Sequence, residues 1–208
     1  MLKLITICRE FGSGGREVGK RLAEILQIPF YDKEIVTQLA KRTKLAEDYV
    51  NQFSEQNVQR QYFPITVGRT LHKSVSPKVM QNLNLRIEQN KLLWELAEKS
   101  DCVIVGRCAN YVLSDLEPLR IFIYAEMEAK IKRCKEKALT DEKLTDKELT
   151  KQIHAIDKSR AVYYKSVTGN EWGQRNDYDI MINSTYYPVK QIAQMIANLQ
   201  KANGYESV

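Results

Sequence analysis

Histidine and paired cysteine are scarce in this chain. Its 208 residues hold only His72 and His154, well separated, and four cysteines, Cys8, Cys102, Cys108 and Cys134, without CxxC spacing. That pattern argues against a zinc or disulfide framework and for reduced thiols. No stretch of 18 apolar residues occurs, so no membrane span is expected. The opening MLKLITI leads straight into a glycine-rich segment, unlike a secretory leader, and a cytoplasmic location is the expectation. Internal repeats and low-complexity tracts are also missing.

With 43% hydrophobic residues the chain can bury a substantial core, as one large α/β domain or a core with an appendage. The net charge of +6 suits nucleic acid or small polyphosphates. Much of the lysine excess between Lys130 and Lys151 alternates with Glu and Asp. That is the pattern of a solvated helix face, so a nucleic-acid partner is not expected.

The chemistry concentrates in Leu2–Leu26, LKLITICREFGSGGREVGKRLAEIL. A strand-like run enters Gly12-Ser13-Gly14-Gly15, and a helix follows with Val18, Leu22, Ala23, Ile25 and Leu26 near one face. Strand, glycine turn and helix N-terminus in that order form an anion site, because bare backbone N–H groups and the helix dipole both favour negative charge. The letters Gly14 to Lys20 spell GxxxxGK, yet Arg21 stands where a Mg²⁺-binding Ser or Thr belongs, and Gly19 and Lys20 fall inside the helical pattern. The better register puts the phosphate loop at Arg9–Arg16, with the lysine position near Gly15 and the hydroxyl position near Glu17. Positive charge must then come from Arg9, Arg16 or Lys20. A tight βα turn that needs small residues only for packing is the plainer alternative.

Further along, Ile28–Tyr31 reads as a short buried strand ending at Asp32, followed by helices over Lys33–Arg42 and Leu45–Phe53. Periodicity fails from Ser54 to Ser76, a segment read as a cover or a partner surface, with a homodimer contact as one option. Ser76-Pro77 opens a helix to about Lys99, with Val79, Leu83, Leu85, Ile87, Leu92, Leu93 and Leu96 as its expected buried face. Strands are expected at Cys102–Val105, Leu119–Ala125 and Tyr178–Ile182. Helices are expected at Glu126–Ala138, Asp146–Tyr164 and Pro188–Leu199. Such alternation predicts a three-layer α/β/α fold with a parallel sheet, whose ligands bind at the carboxyl ends of the strands. Arg9 with the glycine loop, Asp32, and Gly106-Arg107 all fall at that edge. Each alone could be an ordinary loop residue or surface salt bridge. Tyr31, Tyr163, Tyr164 and Trp172 are read as packing before base stacking.

REFGSGGREVGKRLAEILQIPFYDKEIV, VIVGRCANYVL, LRIFIYAEMEAKIKR, IDKSRAVYY and YDIMINST follow one another along nearly the whole chain. Together they resemble the cytidylate kinase-like proteins, a branch of the P-loop nucleoside monophosphate kinases. The resemblance implies a P-loop NTPase fold with a helical NMP-binding insertion, approximately residues 33–100, and a lid, approximately 133–160. It implies that Arg9, Gly12, Ser13, Gly14, Gly15, Arg16 and Glu17 hold ATP phosphates, and that Asp32, Gly106, Arg107, Asp157 and Arg160 face the acceptor. Arg16, Arg107, Arg160 and Asp32 would carry the chemistry, with Arg133 an undecided helix-face charge. Mg²⁺ would come with ATP and have no direct protein ligand, unless Asp32 or Glu17 reaches it. Two departures from the family stand out. Gly15, Arg16 and Glu17 replace Lys-Gly-Thr, and Val105 and Cys108 replace the acids flanking the Gly-Arg pair. Base reading by that route is therefore in question. The expected activity is ATP-dependent phosphorylation of a nucleoside monophosphate, CMP or dCMP first. A nucleotide-binding regulator without turnover and a kinase for a small non-nucleotide acceptor are the alternatives. Arg107 is expected at an exposed edge, where its replacement by Ala should alter stability by only about 0.5 kcal/mol.

Overall fold

The computed structural model describes residues 4–55, 77–137 and 144–202. Five strands, β1 (Leu4–Arg9), β2 (Phe30–Tyr31), β3 (Cys102–Val105), β4 (Leu119–Tyr124) and β5 (Ile180–Asn183), form one sheet in the order β2-β3-β1-β4-β5. Every pairing is parallel, and β1 is central, with Ile5 opposite Val103 on one side and Leu119 on the other. The described helices are α1 (Gly15–Leu26), α2 (Lys33–Thr43), α3 (Glu47–Glu55), α4 (Pro77–Lys99), α5 (Ala109–Val112), α6 (Met127–Lys137), α7 (Asp146–Thr168) and α8 (Val189–Ala202).

Both faces of the sheet are covered, which explains why the central strands read as unbroken apolar runs. Ile5, Ile7, Val105 and Ile123 pack against Val18 and Leu22 of α1 and Ile192 and Ile196 of α8. Leu4, Cys102 and Ile104 face Leu39 of α2, Leu92 and Leu93 of α4, Leu113 and Tyr163. The result is the expected three-layer α/β/α arrangement. Helix α7 has a clear start signal: the Thr145 hydroxyl accepts the Glu148 N–H at 3.3 Å while Glu148 Oε2 accepts the Thr145 N–H at 2.8 Å. This capping box satisfies two N–H groups at the helix end.

Several expectations need correction. β2 is only half-buried, because it pairs with β3 alone and forms one edge of the sheet. β5 starts at Ile180, two residues later than expected, since Tyr178 turns inward before the ladder against Phe122. Leu83 and Ile87 of α4 are exposed. The buried stripe keeps the expected Leu85, Leu92, Leu93 and Leu96 and adds Gln89, whose amide donates to the Tyr163 hydroxyl at 2.9 Å. Helix α3 runs to Glu55 and α7 four residues past Tyr164, ending at Gly169 in the left-handed region. The Ser76 cap, the Val79 side chain and the rest of the Ser54–Ser76 expectation lie outside the described residues.

Gly19 sets how closely α1 approaches the sheet. A Cβ there would lie 3.0 Å from Val105, 3.1 Å from Ile7 and 3.2 Å from Phe30. Gly19→Val is therefore expected to cost about 1–3 kcal/mol by overpacking, lowering the melting temperature by roughly 2–4 °C per kcal/mol. An unchanged melting curve would show that α1 stands off the sheet.

Candidate active site at the β1–α1 loop

β1 ends at Arg9, five residues turn, and α1 begins at Gly15 with Gly14 as its N-cap at φ +82°. Gly12 also has positive φ, and a Cβ there would meet the Lys130 carbonyl at 3.1 Å. The loop is fixed from within and below. The Ser13 hydroxyl donates to the Glu10 carbonyl at 2.8 Å, and the Ser184 hydroxyl donates to the Ser13 carbonyl at 2.6 Å. Phe11 N–H donates to Asp157 Oδ1 at 2.7 Å. Among the described residues, nothing accepts a hydrogen bond from the N–H groups of Gly12, Gly14, Arg16 or Glu17. Bare donors at a helix N-terminus are what an anion requires.

A buried lysine holds this loop to the helices beside it. Lys130 of α6 lies 2.6 Å from Glu10 and 3.3 Å from Asp157, with its side chain 6% exposed. Glu10 also accepts the Ala125 N–H at 3.1 Å. Burial raises the Asp157 carboxyl above its ordinary value, against the opposing pull of the Phe11 N–H and Lys130.

Above the loop is a cavity of about 850 Å³, walled by the loop, by Arg133, Cys134, Lys135 and Lys137 of α6, and by Leu149, Gln152 and Arg160 of α7. Its volume is that of a ligand site. Arg9, Arg16, Arg133, Lys135, Lys137 and Arg160 line it, against two acids, Glu10 and Glu17. Both acids are already paired, Glu10 with Lys130 and Glu17 with Lys137 at 2.7 Å and Arg21 at 3.1 Å. The Lys137 hydrogen bond chiefly holds the Glu17 carboxyl below its usual range. The lining keeps a net positive charge, although Lys137, Lys135 and Arg16 are themselves paired with Glu17, Asp146 and Asp32. Arg133 is more than a helix-face charge, since its guanidinium donates to the Ser184 carbonyl. Arg160 donates to the Arg9 carbonyl at 3.2 Å and lies over the Phe11 ring, 5.8 Å from its centroid.

A second hollow, about 30 Å³, adjoins the first and is lined by Arg9, Gly106, Arg107, Arg160, Tyr163, Tyr164 and Trp172 together with Cys8 and Cys108. Gly106, Arg107 and Cys108 all have φ between 53° and 80°. Such left-handed backbone costs about 1–2 kcal/mol per non-glycine residue, and strain of this kind clusters at ligand sites. Contrary to expectation, Arg107 is buried, 5% exposed, because this left-handed turn carries it into the hollow beside Tyr163 and Tyr164 of α7. Burial pushes the Cys8 thiol up to about 11 and the Cys108 thiol higher than its ordinary value, so both stay protonated at neutral pH. Tyr163 and Tyr164 are core residues, and Trp172 packs edge-on to Phe122 at 5.3 Å.

The expected site residues thus fall into three places. Arg9, Gly12, Gly14, Gly15, Arg16, Glu17 and Arg160 line the large cavity, and Gly106 and Arg107 line the small one. Ser13 is buried within the loop, Asp157 lies beneath it and Asp32 beside it. Asp32 is 3% exposed, paired with the Arg16 guanidinium and 3.9 Å from Arg9. For a directly bound Mg²⁺ this donor set fits poorly, because Asp32 and Glu17 each already face two cations. No group of three metal-binding side chains occurs among the described residues. Sequence reasoning missed Glu10, Lys130 and Ser184. Ser184 directly follows β5, so the rule that ligands meet strand ends could have found it. Nothing distinguishes Lys130 from the other lysines of α6.

A parallel 2-3-1-4-5 sheet with a glycine loop between its central strand and first helix defines the P-loop kinase fold. Two shikimate kinase structures share it. One is from Bacteroides thetaiotaomicron (TM-score 0.56, 16% identity, 97% of this chain and 99% of that one), the other from Acinetobacter baumannii in complex with shikimate (TM-score 0.54, 16% identity, 99% and 97%). An uncharacterized protein from Eubacterium ventriosum is more similar, at TM-score 0.69 and 28% identity over 96% of this chain and 99% of that one. Residues 4–186 match the cytidylate kinase-like family, and the chain belongs to it. No curated protein matches it in sequence. Among the described residues, no helix is long and apolar enough to cross a membrane.

The Lys130 cluster yields a pH-dependent prediction. A carboxyl whose folded pKa is raised, as for Asp157, favours the fold at low pH, and that contribution is lost as pH rises through the folded value. Lys130→Met removes the main positive neighbour and raises that value further. Its cost is expected to be about 3–5 kcal/mol at pH 7 and clearly smaller at pH 5, read from urea denaturation midpoints. A deficit that does not vary with pH would show that Asp157 and Lys130 are not coupled.

Proposed function

We propose that the protein transfers a phosphoryl group from ATP to a nucleoside monophosphate, with CMP or dCMP as the first candidate acceptor. The observation that carries this reading is the set of unbonded amides at Gly12, Gly14, Arg16 and Glu17 under a cavity lined by six cations. Phosphoryl transfer asks little covalent work of a protein. It needs two substrates in line, positive charge around the transferred group and exclusion of water.

In this account the loop amides hold the donor phosphates, and Arg9, Arg16 and Arg160 neutralise charge where donor and acceptor meet. Planar guanidiniums suit phosphate oxygens, often with two parallel hydrogen bonds. Arg107 faces the acceptor's anionic group from the small hollow, and Asp32 keeps Arg16 and Arg9 oriented. The segment 33–100 forms the acceptor-binding insertion and 133–160 the lid, whose helices α6 and α7 wall the cavity. Mg²⁺ enters as part of the ATP complex, held by phosphate oxygens and water.

A small non-nucleotide acceptor is the second reading. It is favoured by the hydrophobic, buried Val105 and Cys108 flanking Gly106-Arg107, which offer no carboxylate to read a base. A coupled ADP-release assay over CMP, dCMP, UMP, AMP, GMP and small hydroxy acids separates the two. Turnover with a pyrimidine monophosphate supports the first, and turnover only with a hydroxy acid supports the second. ATP binding with no turnover of any acceptor leaves a regulator.

Arg107 provides the finer test. Both Arg107→Ala and Arg107→Gly are expected to lose at least tenfold in kcat/KM for the acceptor. The glycine variant should be more stable by about 1 kcal/mol, because φ near 58° strains alanine. Full activity in either variant would remove Arg107 from the acceptor site.

A further inference from the structure

We propose that Arg9 supplies the charge that a phosphate loop ordinarily places on its terminal lysine, glycine and cation having exchanged ends of the loop in this chain. The inference rests on the reading of this loop as the ATP-phosphate site. An ordinary loop runs Gly-x-x-x-x-Gly-Lys from strand end to helix start, its lysine reaching the β- and γ-phosphates. Here the strand ends at Arg9 and the helix starts at Gly15, so the seven positions read Arg9-Glu-Phe-Gly-Ser-Gly14-Gly15. The cation stands first and a glycine last.

Across the loop these two ends are in contact. A Cβ on Gly15 would lie 2.5 Å from the Arg9 Cβ and 3.2 Å from its Cγ. Real Cβ atoms do not approach so closely, so any side chain at position 15 excludes the present course of Arg9. The space a lysine would leave by is filled by the arginine stem. The far end of Arg9 lies against a second glycine, where a Cβ on Gly106 would meet its Nη1 and shift the guanidinium. Two glycines 91 residues apart thus form a slot for one side chain. That slot leads the guanidinium to the wall shared by the large cavity and the small one, with Nη2 3.9 Å from Asp32. On the reading proposed above, that wall stands between the donor phosphates and the acceptor's anionic group, where a cation acts on the transferred group. Arg16, by contrast, has its side chain 55% exposed, where solvent screens its charge.

The test compares ATP dissociation constants, by calorimetry with Mg²⁺ present, for wild type, Arg9→Gly, Arg9→Lys, Arg9→Gly/Gly15→Ala and Arg9→Gly/Gly15→Lys, with a melting curve for each. Wild type is expected to bind ATP, and Arg9→Gly to bind at least tenfold more weakly. Arg9→Lys, which keeps a cation and the glycine slot, is expected to lose less than Arg9→Gly. Among the double variants, the one with lysine at 15 is expected to bind at least tenfold more tightly than the one with alanine, since both relieve the same clash and only one restores a charge. Equal affinity of the two doubles, or wild-type affinity in Arg9→Gly, would overturn the exchange while leaving the loop as the ATP site. Wild type that fails to bind ATP overturns the loop reading itself, and the exchange with it. Should both doubles fail to melt cooperatively, the single variants decide: Arg9→Lys no better than Arg9→Gly overturns the proposal.

Discussion

A buried ammonium between two carboxylates holds the site together. Lys130 lies between Glu10 of the loop and Asp157 of α7, and the same two acids accept backbone N–H groups from Ala125 and Phe11. Isolated, any of these charges would be costly to bury. Together they join the end of β1, the start of α6 and the middle of α7, three segments far apart in sequence. The loop above them can then keep four N–H groups without protein acceptors, because its shape is set from below and by the Ser13–Glu10 hydrogen bond within it. Pre-set donors of this kind need little reorganisation when an anion arrives.

The electrostatic design follows from that constraint. A phosphate loop with a lysine places one point charge near the transferred group. Here the cavity is lined by arginines from β1, α1, α6 and α7, each held by protein: Arg9 and Arg16 by Asp32, Arg133 by Ser184, and Arg160 by the Arg9 carbonyl. Anchoring limits the rotamer freedom that long cationic side chains lose on binding. Glu17, at the place of the usual hydroxyl, serves a different end, tying α1 to the last turn of α6 through Lys137. Helix α1 and the helix α6 that walls the cavity are thereby coupled through a charge pair.

Much of this was legible in the sequence, for identifiable reasons. The β1–loop–α1 unit could be read because its periodicity switches from strand to helix across four glycine-rich positions, and the loop register Arg9–Arg16 follows from where that switch occurs. The sheet edge carrying Arg9, Asp32 and Gly106-Arg107 followed from the strand-end rule. Depth did not. Arg107 was expected at an exposed edge, and the left-handed run that buries it has no signal beyond Gly106. On α4 the expected Leu85, Leu92, Leu93 and Leu96 are buried, whereas Leu83 and Ile87 are exposed, because apolar residues occupy both sides of that helix. A polar Gln89 sits in the buried stripe, its amide nitrogen donating to the Tyr163 hydroxyl. The contact of Arg9 with Gly15 and Gly106 is likewise a property of the folded chain.

The central claim is that backbone amides at the α1 N-terminus grip a polyphosphate. Amide ¹H–¹⁵N spectra recorded during titration with ATP and Mg²⁺ address it directly, because hydrogen bonding to phosphate moves the bonded amide protons downfield. The account predicts saturable downfield shifts concentrated at Gly12, Gly14, Arg16 and Glu17, with Phe11 changing little because its N–H is already given to Asp157. Saturable binding that leaves those four resonances in place, and perturbs amides elsewhere, would contradict it.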